Sequence, residues 1–205
     1  MLDRSAAREG SLEPVAQAVA AGVDQVQVRE RELCDAELVA LAAGVAVAAR
    51  EGARRAGGSV RVVVNRRLDV ARAVAADGVH LGFDAVDVKQ ARRLLGTAAW
   101  IGVSCHAPEE VRALRQASYA HLAPIFPPLS KHVAREPLGP AALREARGTL
   151  PVLAQGGITA ENAGACLAAG AAGVAVTGAV LQASDPAAAA GALRRALDAA
   201  TGAMH

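Results

Sequence analysis

The sequence predicts an α/β fold, a (β/α)₈ TIM barrel formed by a single domain over residues 1–205. Short β-rich runs alternate with alanine-rich helical stretches about every 25 residues, which is typical of βαβ units and a parallel sheet. Runs such as Val62–Val64 and Val174–Val176 are apolar throughout, as expected for strands buried on both faces. Seven such units and a fragment of an eighth favour a closed barrel, with a doubly wound open sheet as the alternative.

The strands are predicted where β-branched and apolar residues cluster between turn residues. The first of them follows a helix-like stretch at Ser11–Ala21. The predicted strands are Val23–Arg29, Val60–Asn65, Gly78–Leu81, Ala99–Ser104, Tyr119–Ile125, Pro151–Gln155 and Gly173–Thr177.

The helices are predicted from a 3.6-residue apolar stripe, which is clearest at Leu38, Leu41, Ala42 and Val45. Asp35, Thr159 and Asp185 are expected as N-caps, and Pro108, Pro140 and Pro186 in first turns. The predicted helices between the strands are Asp35–Glu51, Asp69–Ala76, Val86–Leu95, Pro108–Gln116, Pro140–Arg147, Thr159–Ala169 and Pro186–Ala200.

The composition predicts an aliphatic core, since 53% of the residues are hydrophobic and only 2% are aromatic. A net charge of +2 and the scarcity of stacking side chains argue against a nucleic-acid partner. No apolar stretch approaches the roughly 18 residues needed to span a bilayer, and the N-terminus lacks a signal-peptide core. We therefore expect a cytoplasmic protein without a membrane partner.

The three cysteines show no metal-site or disulfide spacing. Cys34, Cys105 and Cys166 are therefore expected to be reduced thiols. Cys105 is interpreted as a small core residue, with a reactive thiol as the alternative. No carboxylate cluster indicates a metal site.

Two glycine-bearing turns follow the last two predicted strands. The segment 155–159, Gln-Gly-Gly-Ile-Thr, ends one strand just before a helix, and Thr-Gly-Ala at 177–179 ends the next. Glycine lets backbone N–H groups approach a ligand, and a helix N-terminus adds partial positive charge. Late loops of such barrels often bind phosphate. The sequence therefore predicts a phosphate site formed by Gly156, Gly157, Thr177 and Gly178. The alternative is that both segments are ordinary tight turns without a ligand.

Basic side chains stand at the end of the first clear strand. In the segment 27–31, Gln-Val-Arg-Glu-Arg, alternation puts Gln27, Arg29 and Arg31 on one side if the strand extends that far. An arginine at a strand mouth offers a fork for phosphate or carboxylate. The alternative is a solvated loop in which Glu30 pairs with its neighbours.

Histidines lie near other strand ends. His80 and His106 are candidates for proton transfer, with hydrogen-bonded structural roles as the alternative. His121 lies inside an apolar strand and is expected to be an interior residue. Lys131 lies in a long loop of a length typical of lids, where it would reach a phosphate or belong to a solvated charge run.

Taken together, these segments resemble the thiamine phosphate synthase/TenI family, in order from Val23 to Val180. The resemblance implies a (β/α)₈ barrel, usually homodimeric, with a small thiazole phosphate held by the two glycine turns. The matching motifs are Gln27–Arg31, Val64–Arg67 with Asp69, Ala76–Gly82, Gly102–His106, Ala123–Pro127, Lys131, Pro137–Gly139, Ala154–Ile158 and Gly173–Val176.

The resemblance implies one of two activities in thiamine biosynthesis. The synthase, a transferase, joins a pyrimidine diphosphate to a thiazole phosphate and releases pyrophosphate, and Mg²⁺ and basic residues stabilise the leaving charge. The TenI branch, an isomerase, tautomerises a carboxylated thiazole phosphate by a metal-free proton transfer.

This chain departs from the synthase pattern where the metal ligands are expected. Arg66 and Ala85 replace two aspartates of that pattern, and Pro128 and Ser130 replace two threonines. A hard divalent cation needs oxygen ligands, and Arg66 would repel it or pair with an anion instead. We therefore expect no cofactor, with Mg²⁺ required only if the synthase interpretation holds.

The expected function is accordingly a TenI-like thiazole tautomerase, with a thiamine phosphate synthase and a non-catalytic or regulatory phosphate-ligand binder as alternatives. His106 matches a TenI histidine and, with His80, is the predicted proton-transfer residue, whereas Pro124 replaces another TenI histidine. The tail-like Met1–Arg4 segment predicts a shortened first strand or a start site assigned too late. The predicted ligand-binding residues are Gln27, Arg29, Arg31, Asn65, Arg67, Ser104, Lys131, Gly156, Gly157, Thr177 and Gly178.

Overall fold

Parallel strands alternate with helices in the computed structural model, which describes residues 1–2, 11–127, 135–148 and 150–202. The third strand has its predicted bounds, the fourth is shifted by one residue, and the other five are shorter than predicted but lie within the predicted runs. They are β1 (Gln25–Val28), β2 (Arg61–Asn65), β3 (Gly78–Leu81), β4 (Trp100–Cys105), β5 (Tyr119–Leu122), β6 (Val152–Gln155) and β7 (Gly173–Ala175).

The helices follow the predicted stretches, and a short one after β7 was not predicted. None of the described helices is long and apolar enough to cross a bilayer. They are α1 (Glu13–Ala20), α2 (Asp35–Arg55), α3 (Leu68–Ala73), α4 (Val88–Leu95), α5 (Pro108–Ala113), α6 (Ala141–Glu145), α7 (Ala160–Ala168), α8 (Gly178–Leu181) and α9 (Pro186–Gly202).

The sheet is parallel, and its strand order is the order of the chain, from β1 to β7. A doubly wound sheet would reverse its strand order partway, so the sequential order confirms the barrel type of fold. Leu2 forms an isolated parallel bridge with Val28, and the shortened first strand stays a prediction.

The chain divides into two compact units. The first comprises residues 1–101 and 177–194, and its core is aliphatic, as predicted. Strand valines such as Val62–Val64 are almost completely buried. Helix α1 packs closely on α2 at Gly52. A Cβ at that position would lie 2.9 Å from the carbonyl carbon of Ala16 in α1.

The second unit comprises residues 102–176 and 195–205. Its core contains Tyr119, Leu122, Ile125 and Leu143, each at most 1% exposed. The aromatic ring of Tyr119 lies 5.4 Å from that of His121. The single-domain expectation for residues 1–205 stays a prediction.

Helix ends follow the expected chemistry at most positions. Asp185 Oδ1 accepts the N–H of Ala188 at 2.9 Å, and Thr159 is the N-cap of α7, so both predicted caps are confirmed. Asp35 is instead the first helical residue, because Cys34 is the N-cap of α2. Pro140 likewise precedes α6 as its N-cap.

Candidate functional site at the carboxyl ends of the strands

The Gly156–Gly157 turn follows β6 in a conformation that only glycine adopts easily. The φ angles are +92° and +60°, both in the left-handed region. A Cβ on Gly156 would lie 2.7 Å from Pro124 Cβ, and one on Gly157 would lie 2.8 Å from Phe126 Cβ. The glycines are therefore required by the backbone and by the neighbouring segment 123–127.

The turn's carbonyls are hydrogen-bonded within the unit. The Gly156 oxygen accepts the N–H of Phe126 at 3.1 Å, and the Gly157 oxygen accepts from Asn162 Nδ2 at 2.8 Å. Among the described residues, neither glycine N–H donates a hydrogen bond to the protein. Because α7 begins just beyond, the turn presents backbone donors beside a helix N-terminus, which suits an anion.

Segment 123–127 also contacts His106, at the end of β4. The Nδ1 atom of His106 lies 2.7 Å from the carbonyl oxygen of Ala123. Since a carbonyl only accepts, Nδ1 carries the proton, and Nε2 is the acceptor nitrogen of the neutral ring. The backbone N–H of His106 donates to Glu110 Oε2 at 2.7 Å. One segment thus contacts both the predicted proton-transfer residue and the glycine turn.

Two more histidines of the described residues, His80 and His121, are buried. His80 in β3 is 1% exposed and His121 in β5 is 2% exposed. His121 Nδ1 lies 3.0 Å from Gln155 Oε1, and burial lowers its pKa to about 4, so the ring is neutral near pH 7. The prediction of His121 as an interior residue is confirmed, and the catalytic role of His80 stays a prediction. Ser104 is half-buried and pairs in register with His121.

The end of β1 differs from the alternation predicted for it. The strand stops at Val28, and Glu30 Oε1 accepts the N–H groups of Arg31 at 2.6 Å and Glu32 at 3.0 Å. Arg29 and Arg31 are exposed, whereas Gln27 is buried. The strand does not extend far enough for the three to share a face, and Glu30 pairs with its neighbours, as the alternative expects.

Gln27 stands out as a buried polar side chain. It is 2% exposed, and neither amide atom has a hydrogen-bond partner among the described residues. A buried amide without partners is costly. A polar ligand at the end of β1 would satisfy it.

Arg67 is an ion-paired residue at the end of β2. Its guanidinium contacts Asp35 Oδ1 at 2.8 Å and Asp69 Oδ2 at 2.6 Å. The hydrogen bond to Arg67 lowers the pKa of Asp69 to about 2, and the two carboxylates raise the pKa of Arg67. Its fork is therefore occupied by two carboxylates of the chain. Asn65 Nδ2 donates to the His80 carbonyl at 3.3 Å.

Arg66 points to a different partner. Its Nη2 lies 2.8 Å from Asp84 Oδ2, in the loop after β3. Its φ is +65°, and the Arg67 N–H donates to the Asn65 carbonyl at 2.8 Å. This bond closes a strained γ-turn centred on Arg66.

The Mg²⁺ that the synthase pattern implies does not fit these residues. Magnesium requires oxygen ligands, but one expected position carries the Arg66 guanidinium and the other, Ala85, has no side-chain oxygen. The nearby Asp84 carboxylate is paired with Arg66. The described part of the chain contains no group of three or more His, Cys, Asp or Glu arranged around one point.

Thr177 and Gly178 begin α8, with Thr177 exposed as its N-cap. A four-residue helix is too short to give a periodic sequence signal, so the sequence predicted only a turn. A Cβ on Gly178 would meet the flexible end of Gln182, which means that packing does not require glycine here. Joint phosphate binding by the two glycine turns stays a prediction. Lys131, Pro128 and Ser130 lie outside the described residues.

The thiols match the sequence prediction. Cys34, Cys105 and Cys166 form no disulfide, and the first is exposed while the others are buried. Burial raises the pKa of Cys105 to about 12 and that of Cys166 to about 11. Cys105 is therefore an inert core residue and not a nucleophile.

Fold and site together define a barrel-type α/β protein in which a glycine turn after β6 precedes a helix N-terminus. A family model described as thiamine monophosphate synthase matches residues 2–180. The thiamine-phosphate synthase of Moorella thermoacetica is 41% identical over 196 residues, which cover 94% of this chain and 90% of that protein. The chain belongs to the thiamine phosphate synthase/TenI family.

Two further similar proteins also have names from thiamine biosynthesis. The thiamine biosynthesis bifunctional protein ThiM/ThiE of Symbiobacterium thermophilum is 46% identical over 178 residues, covering 84% of this chain and 36% of that protein. Thiamine phosphate pyrophosphorylase from Pyrococcus furiosus has a TM-score of 0.79 at 28% identity, covering 94% of this chain and 91% of that one. The names of the relatives favour the synthase alternative over the TenI-like tautomerase.

Proposed function

We propose that the chain is a thiamine phosphate synthase, a transferase that joins a pyrimidine diphosphate to a thiazole phosphate and releases pyrophosphate. The observation that carries the proposal is its similarity to the Moorella synthase, at 41% identity across nine-tenths of both chains. The tautomerase favoured by the sequence becomes the second candidate.

The glycine turn after β6 is proposed to bind the thiazole phosphate. The N–H groups of Gly156 and Gly157, which donate to none of the described residues, would supply hydrogen bonds, and the start of α7 would supply positive potential. Thr177 and Gly178 are proposed as further hydrogen-bond donors to the phosphate.

Gln27 is proposed to bind a polar group of the substrate from the end of β1. Its buried amide offers both a donor and an acceptor, and binding would remove the cost of leaving them unpaired. Arg29, exposed just beyond, is proposed to contribute positive charge.

The tautomerase remains a second candidate because of His106. With Nδ1 donating to Ala123, Nε2 can accept a proton from one position of a thiazole and return it to another. No other atom is gained or lost, so this reaction needs no co-reactant.

The deciding experiment runs both reactions on the purified protein. Thiamine phosphate and pyrophosphate should form in equal amounts, only when both substrates are present, and with and without Mg²⁺ as parallel arms. Tautomer conversion without thiamine phosphate formation would contradict the synthase and support the second candidate. Ligand binding with neither reaction would leave a non-catalytic binder and contradict both.

His106→Gln provides the matched variant for that comparison. It should abolish any tautomerisation, and loss of thiamine phosphate formation as well would extend the role of His106 to the transfer. Binding of a single small thiazole phosphate per chain and assembly as a homodimer stay predictions. Isothermal titration and sedimentation equilibrium measure them.

A further inference from the structure

We propose that this chain binds the diphosphate group of its substrate directly through Arg66, without a divalent metal. The inference rests on the proposed function, because the transfer leaves pyrophosphate behind. It concerns one guanidinium, which stands where the synthase pattern has an aspartate.

The backbone at position 66 is set by its neighbours. The Arg66 N–H donates to the His80 carbonyl at 2.9 Å, and the Arg67 N–H donates to the Asn65 carbonyl at 2.8 Å. Between these two bonds, residue 66 is held at φ +65°. Asparagine and aspartate populate this region several-fold more readily than arginine does. Strain of this kind is concentrated at functional sites.

The side chain at position 66 is also oriented. Its Nη2 meets Asp84 at 2.8 Å, and the Arg66 side chain is 33% exposed. Within the described residues, Asp84 is the one carboxylate that ion-pairs with Arg66. A guanidinium has five N–H donors, so this contact fixes the group and leaves other donors for an anion.

The neighbouring Arg67 differs from Arg66 in its number of ionic partners. Arg67 contacts two carboxylates, Asp35 and Asp69, and its charge is compensated within the chain. Arg66 has one such partner in the described part of the chain. It stands at the end of β2, in the same unit as the buried Gln27 amide at the end of β1. A fixed guanidinium binds phosphate oxygens in two-pronged geometry, which supplies the charge neutralisation that a divalent ion would otherwise give.

The test is calorimetric titration with sodium pyrophosphate, in EDTA and in excess Mg²⁺. The wild-type chain should bind in EDTA, and Mg²⁺ should not strengthen binding. Arg66→Asn should weaken binding by roughly tenfold or more, since it removes a charge-assisted contact. Asparagine suits a left-handed φ, so this variant should keep the melting temperature. Arg72→Gln, at an exposed arginine of α3, is the charge-matched control and should bind within about twofold of wild type.

Three results would overturn the inference: wild-type binding that requires Mg²⁺, no pyrophosphate binding in either buffer, or equal affinity of Arg66→Asn and wild type. These outcomes are separate from the proposed function. Metal-free binding lost in Arg66→Asn, without thiamine phosphate formation, sustains the site and removes the synthase. Product formation together with pyrophosphate binding that requires Mg²⁺ supports the synthase and refutes the metal-free site at Arg66.

Discussion

A methyl group at position 157 tests how the glycine turn is held. Gly157 has φ +60°, and its added Cβ would lie 2.8 Å from Phe126 Cβ and still closer to the Pro127 carbonyl oxygen. Contacts under 3 Å to backbone and Cβ atoms cannot be relieved by rotating a side chain. Gly157→Ala must therefore displace segment 123–127 or the turn itself.

The magnitude follows from two contributions. Alanine in the left-handed region costs about 1–2 kcal/mol, and overpacking typically adds about 1–3 kcal/mol. The free energy of unfolding should therefore fall by roughly 2–5 kcal/mol. For a chain of this size, each kcal/mol lowers the melting temperature by about 2–4 °C. Thermal unfolding followed by circular dichroism measures the shift.

Gly57→Ala is the matched control. Gly57 has nearly the same φ, +66°, but nothing lies within 4 Å of its added Cβ. The Gly57→Ala variant carries only the cost of alanine in the left-handed region. The difference in melting temperature between the two variants therefore isolates the contact of residue 157 with segment 123–127. If Gly157→Ala melts within about 2 °C of Gly57→Ala, the close packing of that segment on the turn is refuted.

Three further predictions concern protonation, thiols and ligand binding. Burial holds the pKa of His121 at about 4, against about 6.5 in the unfolded chain. The neutral ring's contribution to the free energy of unfolding is therefore complete above pH 6.5 and is lost as the pH falls toward 4. His121→Gln should reduce the loss of stability between pH 7 and 4.5 by roughly 2 kcal/mol in urea titrations, and an unchanged slope contradicts this. A thiol reagent should rapidly modify only Cys34 in the native chain, so fast reaction at Cys105 or Cys166 contradicts their burial. Gly178→Ala should melt within about 2 °C of wild type but bind a thiazole phosphate about tenfold more weakly, and equal affinity removes Gly178 from the site.

The strands were predictable because burial on both faces leaves an uninterrupted apolar run. Val62–Val64 shows this directly, since all three valines are at most 1% exposed. The glycine turn was predictable for a related reason. Two adjacent glycines after such a run are typical of left-handed backbone, and both φ angles are positive.

The end of β1 was not predictable from alternation. Whether a strand continues through residue 31 depends on which partner its N–H groups find. Here a side chain, Glu30, accepts two of them and turns the chain. Glutamate in a polar loop has no unique sequence signature for that contact, so the sequence could place Gln27, Arg29 and Arg31 on one face only on the condition that the strand continues, and it ends at Val28.

The two adjacent arginines after β2 show what a motif leaves open. The sequence indicates that position 66 departs from the synthase pattern and that position 67 conforms to it. It does not show that the conforming Arg67 is held by Asp35 and Asp69, whereas the departing Arg66 meets one carboxylate of the described residues, Asp84. That distinction depends on the pairing of Asn65 with His80, which brings the loop after β3 beside the turn after β2. A site inferred from retained residues alone would therefore rank Arg67 above Arg66, whereas the ion pairs reverse that ranking for anion binding.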